Sequence, residues 1–300
     1  MKKILLVVLL LSSHLFAHAP FIEGYWESWD LISCPEEIAE MPVDVIDIGF
    51  GHVVNRQKHR YKIVSLFAPN AKIKRLVDTA HNLGKEVKIS LLEGCFPSAC
   101  PSHDAIAESA TPHRLNDPEQ MAQAVALYVK KFNLDGVDFY IQEYPAGAQF
   151  QITMIEYLRQ YLGASAKISY TAKAISAIPS PCDEIIKRAH PLLSSITIPA
   201  YNLGYGYHLQ GAVERLLAMG IPSNKIVIGL MPGEDESGVW TSLEEVEKVA
   251  DYVKSHDLGG VTIWSLSRDH ANLTLLGHDA VVTSLSEIFA HDFFIQPIED

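Results

Sequence analysis

Eight short β-rich runs, each followed by a stretch of helical periodicity, repeat along this chain and leave few folds open to it. The runs cover residues 21–26, 43–50, 86–92, 136–141, 167–170, 195–200, 225–230 and 260–265. Between them lie amphipathic segments. In 71–82, Ile73, Leu76, Val77 and Ala80 recur at helical spacing. In 117–132, Asp117 can cap the helix, Pro118 fits its first turn, and Met121, Ala124, Val125 and Tyr128 share a face. Ser242 with Glu245 three residues on reads as a capping box. Gly84, Gly163, Gly220 and Gly259 fall where helices should stop, each just before a strand. The second, fourth and seventh runs are nearly continuously apolar, as parallel strands covered on both faces require. Eight units of about 35 residues each match the size of a βαβ repeat. The expected fold is therefore α/β, a single (β/α)8 barrel over residues 20–300. A doubly wound open sheet is the alternative, but no G-x-G-x-x-G opens any of its helices. No Pro/Gly/Ser-rich linker divides the chain.

Residues 1–19 have the three-part layout of an export signal. Lys2 and Lys3 precede an apolar run over 4–11, and Ala17-His18-Ala19 offers a small-x-small cleavage site. Cleavage near Ala19 would place the barrel in the periplasm or outside the cell. The apolar run is short for a bilayer and no later run approaches the required length, so no membrane span is expected. The chain carries 36 acidic against 24 basic residues, a net charge of −12. That balance repels phosphate backbones and anionic lipid, which disfavours nucleic-acid partners and points to a neutral or cationic ligand. The four cysteines, Cys34, Cys95, Cys100 and Cys182, permit three pairings. A local Cys95–Cys100 bridge is geometrically easy in an oxidising compartment. The thirteen histidines are scattered, with no HExxH and no paired CxxC, so neither metal nor cofactor is expected.

In a (β/α)8 barrel the chemistry belongs at the C-terminal strand ends. Those positions hold Glu23, Tyr25, Trp26, Glu27 and Trp29 on and after the first strand, and Glu93 after the third. Asp135, Asp138, Tyr140, Gln142 and Glu143 belong to the fourth, Tyr201 and Asn202 to the sixth, and Trp264, Arg268 and Asp269 to the eighth. Aromatic rings with amides and carboxylates suit sugars: rings cover the apolar faces of pyranoses, and polar tips take their hydroxyls.

The run Leu134-Asp135-Gly136-Val137-Asp138-Phe139-Tyr140-Ile141-Gln142 resembles the strand-four D-G-x-D-x-D-x-E motif of glycoside hydrolase family 18, the chitinase family. Gly24-Tyr25-Trp26 resembles the family's first-strand opening, and Pro199-Ala200-Tyr201-Asn202 its sixth-strand M-x-Y-D. Gly259-Gly260-Val261, leading into Trp264-Ser265-Leu266-Ser267-Arg268-Asp269, resembles the eighth-strand ending. The resemblance implies a cleft for N-acetylglucosamine oligomers or polymers, with Trp264 flooring the central sugar subsite and Tyr201 at the acetamido group. Tyr25, Trp26, Glu93 and Asn202 would complete the binding set. It also implies a cis peptide between Trp264 and Ser265.

The departures bear directly on activity. In active members the last motif carboxylate is the general acid, and the substrate's own acetamido oxygen attacks the anomeric carbon. Here the acid position is Gln142 and the preceding, orienting position is Tyr140. An amide has no titratable proton to donate near neutral pH, and losing general acid catalysis typically costs about 10²–10⁴-fold. The third-strand S-x-G-G is also altered, to Leu91-Leu92-Glu93-Gly94. Alternation places Asp138, Tyr140 and Gln142 on the barrel-interior face and turns Glu143 outward, unless a bulge rotates it. Three functions are compatible with this pattern. The leading one is an exported chitinase-like protein that binds N-acetylglucosamine glycans with weak or no hydrolysis. The second is an active glycosidase with a displaced acid at Glu143, Glu93 or Glu27. The third is a protein-binding or inhibitor barrel with a vestigial cleft.

Overall fold

The expected strands assemble side by side in one closed parallel sheet. A computed structural model describes residues 19–29, 33–55, 61–65, 68–92, 117–141, 147–172, 181–203 and 208–290. In chain order the strands are β1 (Phe21–Glu27), β2 (Val45–Asn55), β3 (Tyr61–Ser65), β4 (Glu86–Leu92) and β5 (Gly136–Ile141). There follow β6 (Lys167–Ala172), β7 (Ser195–Pro199), β8 (Ile226–Leu230), β9 (Gly233–Glu234), β10 (Trp240–Thr241) and β11 (Gly260–Ile263). Parallel pairing runs β1-β11-β8-β7-β6-β5-β4-β2, and a β1–β2 ladder closes the ring into a (β/α)8 barrel. All eight expected strands are present, within a few residues of the anticipated limits. Two features lie outside that expectation. The second strand runs on to Asn55 and pairs antiparallel with β3, and β9 and β10 form a small hairpin after β8.

The connecting helices are α1 (Pro35–Glu40), α2 (Asn70–Asn82), α3 (Pro118–Phe132), α4 (Gly147–Leu162) and α5 (Pro181–Ala189). They continue with α6 (Leu209–Ala218), α7 (Leu243–Ser255), α8 (Leu266–His270) and α9 (Ala280–Ala290). The sequence caps operate: Asp117 accepts from the Gln120 amide, and Ser242 and Glu245 form a reciprocal capping box. Gly84, Gly163 and Gly220 take the left-handed conformation expected of helix stops. Gly259 does not. The left-handed residue after α7 is Asp257, and Gly259 is required because a Cβ there would lie 2.6 Å from the Asn224 carbonyl oxygen.

Alternation along the strands sorts the side chains into two sets. Facing the helices, Ile22, Trp26, Ile46, Ile48, Val87, Ile89, Val137 and Phe139 join the main apolar core. Facing the barrel axis, the lowest storey is charged. The Lys88 ammonium donates to Glu23 at 3.1 Å and to the Ser169 hydroxyl at 2.7 Å, and lies 3.5 Å from Asp47. All of these side chains are buried. Burial alone would lower the Lys88 pKa, but the charges of Asp47, Glu23 and Asp138 reverse that and hold it raised and protonated. Burial, with Glu23 alongside, pushes the Asp47 carboxyl well above the usual carboxylate range. Burial is the largest influence on Glu23 and works against its charge, but the Lys88 charge and the hydrogen bonds from Asp47 and Lys88 together outweigh it and hold its carboxyl below the ordinary value.

Among the described residues no helix is long and apolar enough to cross a membrane. Residues 1–18, including most of the expected export signal, lie outside the described residues, as do Cys95 and Cys100. Cys34 and Cys182 are unbridged.

Two stability predictions follow from these buried charges. Lys88→Met strands the Glu23 charge and should lower unfolding free energy by about 3–5 kcal/mol, while adding Glu23→Gln should recover much of the loss; urea unfolding of both variants checks this. Asp269 caps α9, accepting from the Val281 and Val282 amides, and burial raises its pKa to about 6. Between the unfolded value and 6 the folded protein binds the extra proton, so this residue's contribution is full at low pH and is lost as pH rises through 6. Relative to Asp269→Asn, the wild type should gain about 1–2 kcal/mol when urea unfolding is moved from pH 7.5 to pH 5.

Candidate functional site

The middle storey of the barrel is organised by Asp138 on β5. Its Oδ1 accepts from Ser169 at 2.7 Å and Thr171 at 3.2 Å, and its Oδ2 from Ser90 at 2.8 Å and Tyr25 at 3.0 Å. These donors come from β1, β4 and β6, so one carboxylate ties four strands together. Burial, with Asp138 close by, holds the Tyr25 phenol well above its ordinary pKa, so it stays a neutral donor. Asp135, three residues earlier, belongs elsewhere. It accepts from the Val87 amide at 2.7 Å and lies 2.8 Å from the His81 ring, at the N-terminal end of the strand.

Above Asp138 the interior turns aromatic. Tyr140 follows Asp138 on the same face, and its ring lies 5.8 Å from that of Trp264 at 21°. Phe50 stacks on Trp264 at 5.5 Å and 15°, and Tyr25 approaches it at 5.1 Å. Trp29 adds a fifth ring, 5.8 Å from Phe50 and 6.2 Å from Trp264. Tyr140 and Trp264 both remain partly exposed at this end of the barrel. Tyr201, after β7, hydrogen-bonds Tyr140, and burial, then Tyr140, raises its pKa well above the ordinary phenol value. The Trp264–Ser265 peptide is cis, as is Gly49–Phe50.

The structure thus brings Tyr25, Asp138, Tyr140, Tyr201 and Trp264 together in one column. Trp26 does not join them. It is fully buried in the apolar core on the helix-facing side of β1, because a strand turns neighbouring side chains to opposite faces; this corrects its expected place in the binding set. Asn202 sits beside the column with a left-handed backbone, its amide donating to Asp235 at 2.6 Å and its Oδ1 accepting from the Glu236 amide at 2.8 Å. Glu27 accepts from the Ser265 hydroxyl, and its amide donates to Ser267 at 3.1 Å. Gln142, Glu143 and Glu93 lie outside the described residues.

Sequence reasoning missed Ser90, Ser169, Thr171 and Phe50. Ser169 and Thr171 sit two residues apart on β6, and Ser90 and Ser169 lie in register with Asp138 on the two strands that flank β5, a signal that pairing β4, β5 and β6 in order would have shown. Phe50 carried no such signal. Regular alternation from Asp47 would turn it outward, but the ladder to β4 shifts register between Gly49 and Gly51, and this bulge brings its ring into the column.

A cavity of about 910 Å³ opens at the opposite end of the barrel, beside Phe21, Asp44, Lys85 and Lys225. Its basic groups are engaged: Lys85 donates to the Ala39 and Met41 carbonyls, and Lys225 to those of His190 and Leu193. We place the site at the aromatic end, where a stacking surface adjoins hydroxyl donors. Among the described residues no cluster of His, Cys, Asp and Glu could hold a metal ion.

No family model matches the chain, and no curated protein is significantly similar to it in sequence. Solved structures are similar over nearly its whole length. A chitinase of glycoside hydrolase family 18 from Pseudoalteromonas aurantia superposes with a TM-score of 0.69 at 16% identity, covering 89% of this chain and 99% of its own. Active domain 2 of a thermostable chitinase from Pyrococcus furiosus gives 0.71 at 15% identity, over 93% and 97% of the two chains. Human YKL-39, described as a pseudo-chitinase with retained chitooligosaccharide binding, gives 0.68 at 12% identity, over 91% and 100%. The chain is thus a single (β/α)8 barrel with the fold of the family 18 chitinases and chitinase-like proteins.

Proposed function

We propose that this protein is an exported chitinase-like barrel that binds N-acetylglucosamine oligosaccharides at its aromatic end and hydrolyses them weakly or not at all. One observation carries the reading: the residue above the anchored Asp138, on the same face and against Trp264, is a phenol. Active members of the resembled family need a carboxylate there to orient the acetamido group and offset developing positive charge. Tyr140 cannot carry that charge near neutral pH; its hydroxyl is engaged with Tyr201 and its ring with Trp264. Asp138 is no substitute, because four hydrogen bonds hold it below the rings and out of solvent. Gln142, at the acid position, supplies an amide that can donate a hydrogen bond to a glycosidic oxygen without protonating it. Partly exposed Trp264 offers a stacking face, with Tyr201 and Gln142 as polar partners for hydroxyl and acetamido groups. Chitooligosaccharide binding by the structurally similar YKL-39 supports the same ligand class. The layout of residues 1–19 supports export: β1 begins at Phe21, so cleavage near Ala19 leaves every strand intact.

Two outcomes are expected. In titration calorimetry the wild type binds the N-acetylglucosamine hexasaccharide, and Trp264→Ala weakens that binding at least about tenfold; negligible binding in both would instead favour the protein-interaction barrel. Tyr140→Asp combined with Gln142→Glu should raise hydrolysis of a fluorogenic N-acetylglucosamine oligomer by about 10²-fold or more over wild type. Wild-type turnover that is abolished in Glu143→Gln or Glu27→Gln would transfer the role of acid to that residue.

A further inference from the structure

The hairpin β9–β10 follows β8 at the site end of the barrel, and it carries an exposed tryptophan. Trp240 is 44% exposed, although tryptophan is among the costliest side chains to leave in water. The hairpin follows β8, and β8 lies between β7 and β11 in the barrel. It therefore stands between the loop bearing Tyr201 and Asn202 and the strand end bearing Trp264.

Its attachments reach both neighbours. Asp235, at the hairpin turn, is buried and accepts from the Asn202 amide at 2.6 Å, the Ser237 amide at 2.8 Å and the Val239 amide at 2.9 Å. These bonds outweigh the cost of burial and hold its carboxyl below the ordinary value, so it stays ionised as the anchor. Asn202 returns the contact through its Oδ1 to the Glu236 amide. On the other side, the Arg268 guanidinium donates to the Glu234 carbonyl at 3.1 Å. Gly233 seats the hairpin's base: its φ is +77°, and a Cβ there would meet the Thr274 carbonyl oxygen at 2.7 Å. The hairpin is thus a fixed bracket joined to both loops of the candidate site, and its one large apolar side chain is left open to solvent. A half-exposed indole carried on that bracket can cover the apolar face of a pyranose.

We infer that Trp240 is a second stacking platform, which takes a sugar residue of the same oligosaccharide further along the chain from Trp264 and so makes the protein select longer oligomers over short ones. The inference rests on the glycan-binding reading above.

The test compares di- and hexasaccharides of N-acetylglucosamine by calorimetry on wild type, Trp240→Ala, Trp240→Tyr and Trp264→Ala. Trp240→Ala should weaken the hexasaccharide about five- to twentyfold while shifting the disaccharide less than about twofold, and Trp240→Tyr should recover most of the loss. Hexasaccharide affinity unchanged in Trp240→Ala but lost in Trp264→Ala would overturn this inference and leave the glycan-binding reading standing. Equal weakening at both lengths would also overturn it, because it would mean a disturbed bracket rather than an outlying subsite. If the wild type binds neither sugar, the glycan-binding reading fails and the second platform with it.

Discussion

Burying charge inside a barrel is costly unless each group meets a partner, and this protein meets that demand in two linked storeys. Lys88 neutralises Glu23 below, and Asp138 gathers four hydroxyl donors above. Ser169 belongs to both, accepting from Lys88 and donating to Asp138. The groups come from β1, β2, β4, β5 and β6, so the network fixes the relative register of more than half the ring. Everything at the open end stands on that base.

On such a base the aromatic storey is positioned from below. Tyr25 is the coupling piece, with its hydroxyl on Asp138 and its ring against Trp264, Tyr140 and Phe50. In this arrangement Asp138 acts as a structural anchor, and the Tyr140 and Trp264 rings above it are partly exposed to solvent. On the function proposed above, such a surface suits a neutral, hydroxyl-rich ligand. The acidic balance of the whole chain agrees, since it discourages competing polyanions.

Much of this was legible along the chain. The eight strands, the helix caps at Asp117 and Ser242, and the substitution of Tyr140 and Gln142 within an otherwise recognisable run all follow from local pattern. They are legible because caps, periodicity and strand alternation each depend on residues within one or two turns of one another. Trp26 shows where that reasoning fails: it stands next to Tyr25 in a run that suggested both for the site, and alternation sends it to the core instead.

What the linear order alone determined, then, is the repeating β/α architecture and the chemical identity of the groups at the strand ends. The tertiary structure decided which of those groups meet. It paired Lys88 with Glu23 from a strand 65 residues away, turned Phe50 inward through a register shift, and set the Trp240 hairpin between two distant loops. These outcomes depend on closing the ring, and ring closure brings strands together by their lateral order in the sheet, which no local window of sequence contains.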